Sequence, residues 1–154
     1  MTHTVVVGIG NSIRGDDALG LLAVRRASSS GRWPHVYFRE FEETHGNLLE
    51  IFDGADRLVV VDTLTSDGGK AGEIRRLSLT DLDPEKNAPY SSHQMGLART
   101  LDLGKRLGLS IPEEGAVLAL EIPAADDFTE EITPQGQEGL QRLERALAEE
   151  IDRI

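Results

Sequence analysis

The segment from Val5 to Gly20 constrains the fold more than any other part of the chain. It reads V-V-V-G-I-G-N-S-I-R-G-D-D-A-L-G, with three β-branched residues, two glycines and then an acidic pair at the start of a helical pattern. Successive valines are typical of a strand that is buried on both faces. We expect Gly8 and Gly10 to let the backbone turn sharply at the carboxyl end of this strand, which is where open α/β sheets bind ligands.

The acidic pair Asp16-Asp17 has two interpretations at this stage. Carboxylates in the first turn of a helix are stabilised by the positive helix N-terminus, and this alone would explain them. They could instead form the first part of a metal or catalytic site. Because successive helical residues point about 100° apart, one of the two can face a cleft while the other is solvated.

Predicted strands and helices alternate along the rest of the chain. The strands are placed at residues 4–8, 36–41, 57–62, 72–77 and 116–122, and the helices at about 16–27, 46–52, 93–107 and from 134 to the C-terminus, after an N-cap at Thr133. This alternation predicts one α/β domain over residues 1–154. Its fold would be a three-layer sandwich with a mostly parallel five-stranded sheet and helices on both faces.

Two connections add detail to this topology. The first and third strands should be parallel and central. The segment 63–72 contains Asp67-Gly68-Gly69 and looks like a hairpin turn, so we expect at least one antiparallel pair and a mixed sheet. The connection over 78–92, with Pro84 and Pro89, has a length that is usually functional or disordered.

Composition excludes several classes of function. The chain has 154 residues with 16 Lys and Arg against 27 Asp and Glu, a net charge of −11 that opposes binding to nucleic acids and anionic membranes. It contains no cysteine, which excludes disulfides, thiolate nucleophiles and Cys-ligated metal sites. There is no basic leader and no apolar run of membrane-spanning length, so we predict a cytoplasmic protein. The surface of the last helix shows no pattern typical of an oligomer interface, which predicts a monomer.

The Gly8-Ile9-Gly10 segment invites a dinucleotide-binding interpretation, which two features disfavour. That fingerprint needs a third glycine three positions after the second, and Ile13 stands there. The acidic pair adds negative charge where a pyrophosphate would lie. A nucleotide cofactor is therefore disfavoured.

Polar side chains are instead expected to converge at one edge of the sheet. Asp17 lies just after the first strand, Asp62 ends the third, and His93 opens the helix that follows the long connection. Two carboxylates and an imidazole, with coordination positions left open, suit a divalent transition metal such as Ni, Zn or Fe(II). Taken singly, each residue has a structural explanation: Asp17 as an acid at a helix N-terminus, Asp62 as a hydrogen-bond acceptor at a strand end, and His93 as a loop residue. Taken together, the three favour a metal site.

Other candidate residues carry weaker signals. Asp16 competes with Asp17 for the first position, and His45, after the second strand, could border the same cleft. His3 and His35 precede strands and are expected on the surface at the opposite edge. The chain has neither the H-E-x-x-H zinc motif nor the G-x-S-x-G nucleophile elbow.

Four collinear motifs resemble one known family, the endopeptidases that mature the large subunits of [NiFe]-hydrogenases. The motifs are G-I-G-N at 8–11 with D-D-A-L-G at 16–20, L-V-V-V-D at 58–62, S-H-Q-M-G-L at 92–97, and Thr133-Pro134 before the last helix. The resemblance spans nearly the whole chain. It implies a five-stranded twisted sheet between helices.

The resemblance also implies an activity. Members of this family remove a C-terminal extension from the large-subunit precursor after nickel insertion, cutting behind a basic residue that follows the last cysteine motif. The metal-contacting residues of the family map onto Asp17, Asp62 and His93. By this analogy the nickel is contributed by the substrate, and the resting enzyme holds little or no metal.

Two departures from the family pattern affect the details. The first ligand is often Glu, and Asp17 is one methylene shorter, so either the helix lies closer to the metal or a water intervenes. The loop after the second strand often reads D-G-G-T in the family, whereas here residues 42–46 read E-E-T-H-G, which predicts a difference in the details of substrate recognition. Three alternatives stay open: a self-sufficient metallohydrolase, a non-catalytic metal-dependent assembly factor and a nucleotide-binding module.

Overall fold

The computed structural model of the protein describes residues 3–42, 47–65, 69–82, 92–123 and 128–153, with the backbone alone for 92–95. The strands are β1 (Thr4–Gly10), β2 (Tyr37–Glu42), β3 (Arg57–Leu64), β4 (Ile74–Ser78) and β5 (Glu114–Glu121). The helices are α1 (Leu19–Ser29), α2 (Leu48–Phe52), α3 (Ser92–Arg106) and α4 (Pro134–Asp152), with 3₁₀ helices at Gly15–Ala18 and Leu79–Asp81. Each predicted strand and helix is therefore present, with shifted ends.

The five strands form one mixed sheet in the order β2-β1-β3-β5-β4. The strands β1, β2, β3 and β5 are parallel, and β1 and β3 are neighbours, as predicted. The expected mixed sheet with an antiparallel pair is confirmed, because β4 pairs antiparallel with β5. The expected hairpin between the third and fourth strands is wrong, because β5 lies between them. The apolar β5 is suited to an interior position, whereas β4 carries Arg75 and Arg76, which suit an exposed edge.

Helices cover both faces of the sheet and form the predicted three-layer α/β sandwich. On one face, α1 and α4 pack against Val6, Val59 and Leu118. On the other, α2 and α3 pack against residues that include Val7 and Val60. The apolar stripe predicted for the last helix is buried, at Leu140, Leu143, Leu147 and Ile151. Across the described ranges, no helix combines the length and the apolar character needed to cross a membrane.

The glycines of the first motif act differently from the prediction. Gly8 and Gly10 lie within β1, and neither has a positive φ, so they do not form a sharp turn. They permit close approach instead: a Cβ on Gly8 would lie 2.5 Å from the carbonyl oxygen of Gly20, and one on Gly10 would collide with that of Asp17. The helical segment 15–29 therefore rests directly on the strand backbone.

Candidate functional site

Asp62 lies near the carboxyl end of the central strand β3 and is only 4% exposed. Side chains alternate along a strand, so Asp62 shares a face with Leu58 and Val60, the face covered by α2 and α3. Its Oδ1 accepts a 2.7 Å hydrogen bond from the backbone N–H of Thr63. The strand continues to Leu64, two residues beyond the predicted end.

Asp17 is positioned by the 3₁₀ helix Gly15–Ala18, which follows β1. Its side chain is half-buried, and Oδ1 accepts a 2.8 Å hydrogen bond from Thr63 Oγ1. The backbone N–H of Asn11 donates to the carbonyl oxygen of Asp17 at 3.3 Å and closes the connecting loop. The absence of a side chain on Gly10 lets this loop lie against the strand end.

Thr63 therefore contacts both predicted carboxylates, through its N–H on one and its hydroxyl on the other. It is 4% exposed and was not predicted as a site residue, because threonine is neither a usual metal ligand nor a usual general base. The sequence does carry a signal for it: Thr63 has a hydroxyl group and directly follows Asp62, the acid that ends the apolar run 58–61. Asp17 and Asp62 are thus brought to the same end of β3 and are linked through one residue.

The neighbouring Asp16 is part-exposed and has a structural role. Asp16 Oδ1 accepts a 3.0 Å hydrogen bond from the backbone N–H of Thr133, and Oδ2 accepts a 2.6 Å bond from Thr133 Oγ1. Thr133 is the N-cap of α4, as predicted, and its Oγ1 accepts a bond from the N–H of Gly136. Asp16 therefore anchors the start of α4 to the first loop.

His93 lies in the first turn of α3, and its side chain lies outside the described residues, as does the whole of His45. Because α3 leads back to the start of β5 at the amino edge of the sheet, its first turn lies at the carboxyl edge. The face covered by α3 is the one that Asp62 shares. Among the described side chains, no group of three Asp, Glu, His or Cys residues could hold a metal ion.

The other two histidines lie away from this edge. His35 is exposed, and His3 is part-exposed with its ring 4.5 Å from that of Tyr37. Both precede strands at the amino edge of the sheet, as expected.

An ion pair between a buried acid and an exposed arginine lies beside Asp62 on the same face of the sheet. Asp62 is paired in register with Ala119 of β5, so Glu121, two residues further on, shares its face. Glu121 is 2% exposed, and its Oε1 lies 3.3 Å from Nε of Arg75 on β4. Glu121 was not predicted as a site residue, although it ends an apolar strand in the same way as Asp62.

Two carboxylates at one strand end can ligate a divalent cation or accept a proton from water. An ionised carboxylate offers about four lone-pair sites. The single bond from Thr63 therefore fixes the carboxylate of Asp17 without exhausting its capacity as a ligand. The chemistry of these donors fits nickel, zinc or iron when an imidazole completes the set.

Comparison with known proteins identifies similar sequences and folds. The family model HycI, described as hydrogenase maturation protease, matches residues 44–150. No curated protein matches the chain. The solved structure of the hydrogenase maturating endopeptidase HybD from E. coli is 20% identical with a TM-score of 0.74, covering 95% of this chain and 90% of that one.

Two archaeal structures are also similar. The [NiFe] hydrogenase maturation protease HybD from Thermococcus kodakarensis is 23% identical with a TM-score of 0.75, covering 96% of this chain and 98% of that one. The maturation protease HycI from Thermococcus kodakarensis KOD1 is 24% identical with a TM-score of 0.70, covering 98% of this chain and 93% of that one. At these identities the structural likeness shows a shared fold.

Proposed function

The chain belongs to the HycI family of hydrogenase maturation proteases, and from this membership we propose its specific activity. It is an endopeptidase that removes the C-terminal extension of a [NiFe]-hydrogenase large-subunit precursor after nickel insertion. It recognises the nickel that the substrate carries. Asp17, Asp62 and His93 contact this ion.

One observation carries the proposal: Thr63 links Asp17 and Asp62 at the carboxyl end of the central strand. The first turn of α3, which contains His93, lies at the same edge of the sheet. The similar solved structures include hydrogenase maturation proteases and an endopeptidase, which supports the same reaction class.

The proposed mechanism depends on positioning. The substrate's cysteines hold the nickel, and the two carboxylates and the imidazole complete its coordination. The ion then acts as a template that fixes the scissile peptide bond against the strand ends. A carboxylate oxygen that does not contact the ion can accept a proton from the attacking water.

The direct test is cleavage of purified precursor in two forms, nickel-loaded and metal-free. We expect mass spectrometry to show one cut near the C-terminus of the nickel-loaded precursor and none in the metal-free form. The variants Asp62→Asn and His93→Gln should abolish the product. The matched controls His3→Gln and His35→Gln should cut at the wild-type rate, because these histidines precede strands at the amino edge.

Other results would contradict the proposal in distinct ways. Equal cleavage of metal-free precursor would exclude recognition through nickel. Tightly held stoichiometric metal in the purified protein would indicate a self-sufficient metallohydrolase. Binding of the nickel-loaded precursor without any product would indicate a non-catalytic assembly factor.

A further inference from the structure

Two large apolar side chains stand exposed beside the candidate site. Ile13 is 49% exposed and Phe128 is 74% exposed. Ile13 lies two residues before the 3₁₀ helix that carries Asp17. We call these two side chains the Ile13–Phe128 patch.

The backbone beneath this patch is fixed by hydrogen bonds between two distant segments. The N–H of Thr129 donates to the carbonyl oxygen of Ile13, and the N–H of Gly15 donates to that of Thr129, both at 2.7 Å. These bonds form a parallel bridge between Arg14 and Thr129, so Ile13 lies alongside Phe128 in register. The guanidinium of Arg14 lies 5.4 Å from the centre of the Phe128 ring and holds it in place.

Single exposed apolar residues are ordinary on protein surfaces, but an adjacent pair on a fixed backbone beside a candidate site is not. We infer that the Ile13–Phe128 patch docks the substrate polypeptide. This inference rests on the proposed function and adds to it a surface that selects the substrate. The occupant is an apolar side chain of the large-subunit precursor, in a segment that also carries cationic residues.

The charge around the patch supports a cationic partner. Glu42 Oε1 accepts a 3.0 Å hydrogen bond from the N–H of Ser12, which places this acid next to Ile13. Glu130 and Glu131 are exposed just after Phe128. These three acids outnumber the cation Arg14 beside the patch, and the net charge of −11 on the whole chain adds to the attraction for basic segments.

A second copy of this chain is a poorer occupant for two reasons. A stable interface buries about 800 Å² on each partner, far more than two side chains supply. Two copies that each carry a net charge of −11 also repel one another.

The test is steady-state cleavage of nickel-loaded precursor by the double variant Ile13→Ser/Phe128→Ser. We expect KM to rise about tenfold and kcat to stay within about twofold, because the patch binds substrate and transition state equally. The matched control is Leu103→Ser/Leu107→Ser, which removes two apolar side chains that are 49% and 62% exposed, one in the last turn of α3 and one just after it. The variant Phe128→Leu, which keeps an apolar side chain, should restore most of the affinity.

Several outcomes would overturn the inference. The first is an unchanged KM in the double variant, and the second is an equal rise in KM in the control. The third is sedimentation of the wild type as a dimer and of the double variant as a monomer.

If the wild type binds the precursor and never cuts it, the proposed function fails. The docking surface would then still be supported by about tenfold weaker binding of the double variant, measured by calorimetry.

Discussion

Thr63 Oγ1 donates a 2.8 Å hydrogen bond to Oδ1 of Asp17, joining the 3₁₀ helix after β1 to the end of β3. The same threonine donates its backbone N–H to Asp62, so one buried residue orients both acids. The backbone bond is independent of the side chain at position 63. The hydroxyl can therefore be removed while the contact to Asp62 is kept.

Replacing Thr63 by Val should lower cleavage of the precursor about tenfold, because Asp17 loses the donor that fixes its carboxylate. The substitution keeps the side-chain shape and the N–H bond to Asp62. The control Thr63→Ser retains the hydroxyl and should cut at close to the wild-type rate. Equal activity of the Val and Ser variants would show that the hydroxyl does not position Asp17.

We expect substitution of Asp16 to lower mainly the stability of the protein and substitution of Asp17 to lower mainly its activity. Asp16→Ala removes two hydrogen bonds to Thr133 at the start of α4, and we expect the free energy of unfolding to fall by about 1 kcal/mol. Asp17→Asn, which keeps an oxygen acceptor for the buried hydroxyl of Thr63, should change stability little and reduce cleavage at least about a hundredfold. Urea unfolding and the rate of product formation measure the two effects. Equal activity losses in both variants would contradict this separation of roles.

Gly10→Ala tests the close approach of the first loop to β1. The added Cβ would collide with the carbonyl oxygen of Asp17, so we expect a loss of about 1–3 kcal/mol in unfolding free energy and a lower cleavage rate. Gly96→Ala is the control for stability, because a Cβ at this position in α3 has no atom within 4 Å. That substitution should stabilise the helix by up to about 1 kcal/mol. An unchanged melting temperature in the Gly10 variant would contradict the prediction.

We expect the ion pair between Glu150 and Arg76 to make the free energy of unfolding depend on pH in the acid range. Arg76 Nη2 and Nε donate to the two carboxylate oxygens of Glu150 at 2.9 and 3.0 Å, and these bonds hold the pKa of Glu150 below its usual 4.5. The native state therefore binds a proton less readily than the unfolded state. This contribution is complete above pH 4.5 and is lost as the pH falls through the native pKa.

Glu150→Gln should therefore lower the unfolding free energy by about 1 kcal/mol at neutral pH and flatten its dependence on pH below 4.5. Chemical unfolding over a pH series measures both effects. Glu40→Gln is the control, since Glu40 pairs with Arg25 on the surface, with side chains 39% and 57% exposed. It should change stability by less than about 0.5 kcal/mol. Identical pH profiles for the wild type and Glu150→Gln would exclude this contribution.

Local sequence patterns predicted the strands, the helices and the layers of the fold. The runs that became β1 and β3 are apolar without alternation, which is the pattern of a strand covered on both sides. Thr133 and Pro134 indicated the start of α4, because an N-cap followed by proline is a local signal. Asp17 and Asp62 lie at the predicted edge, and their role with His93 in binding nickel stays a prediction.

Long-range packing decided what these patterns do not encode. The carboxylate of Asp16 meets Thr133 across 117 residues, and that of Asp17 meets Thr63 across 46. Nothing local distinguishes the two acids, because both stand in the same helical turn. The same holds for β4, whose preceding turn reverses the chain without choosing the strand that it pairs with. By itself the sequence determined which segments are strands and helices and which strand ends are followed by acidic residues. Both properties depend on residues that are neighbours along the chain. The tertiary structure alone decided which acid anchors α4, which acid accepts a hydrogen bond from Thr63, and what the glycines accommodate. These depend on which surfaces meet.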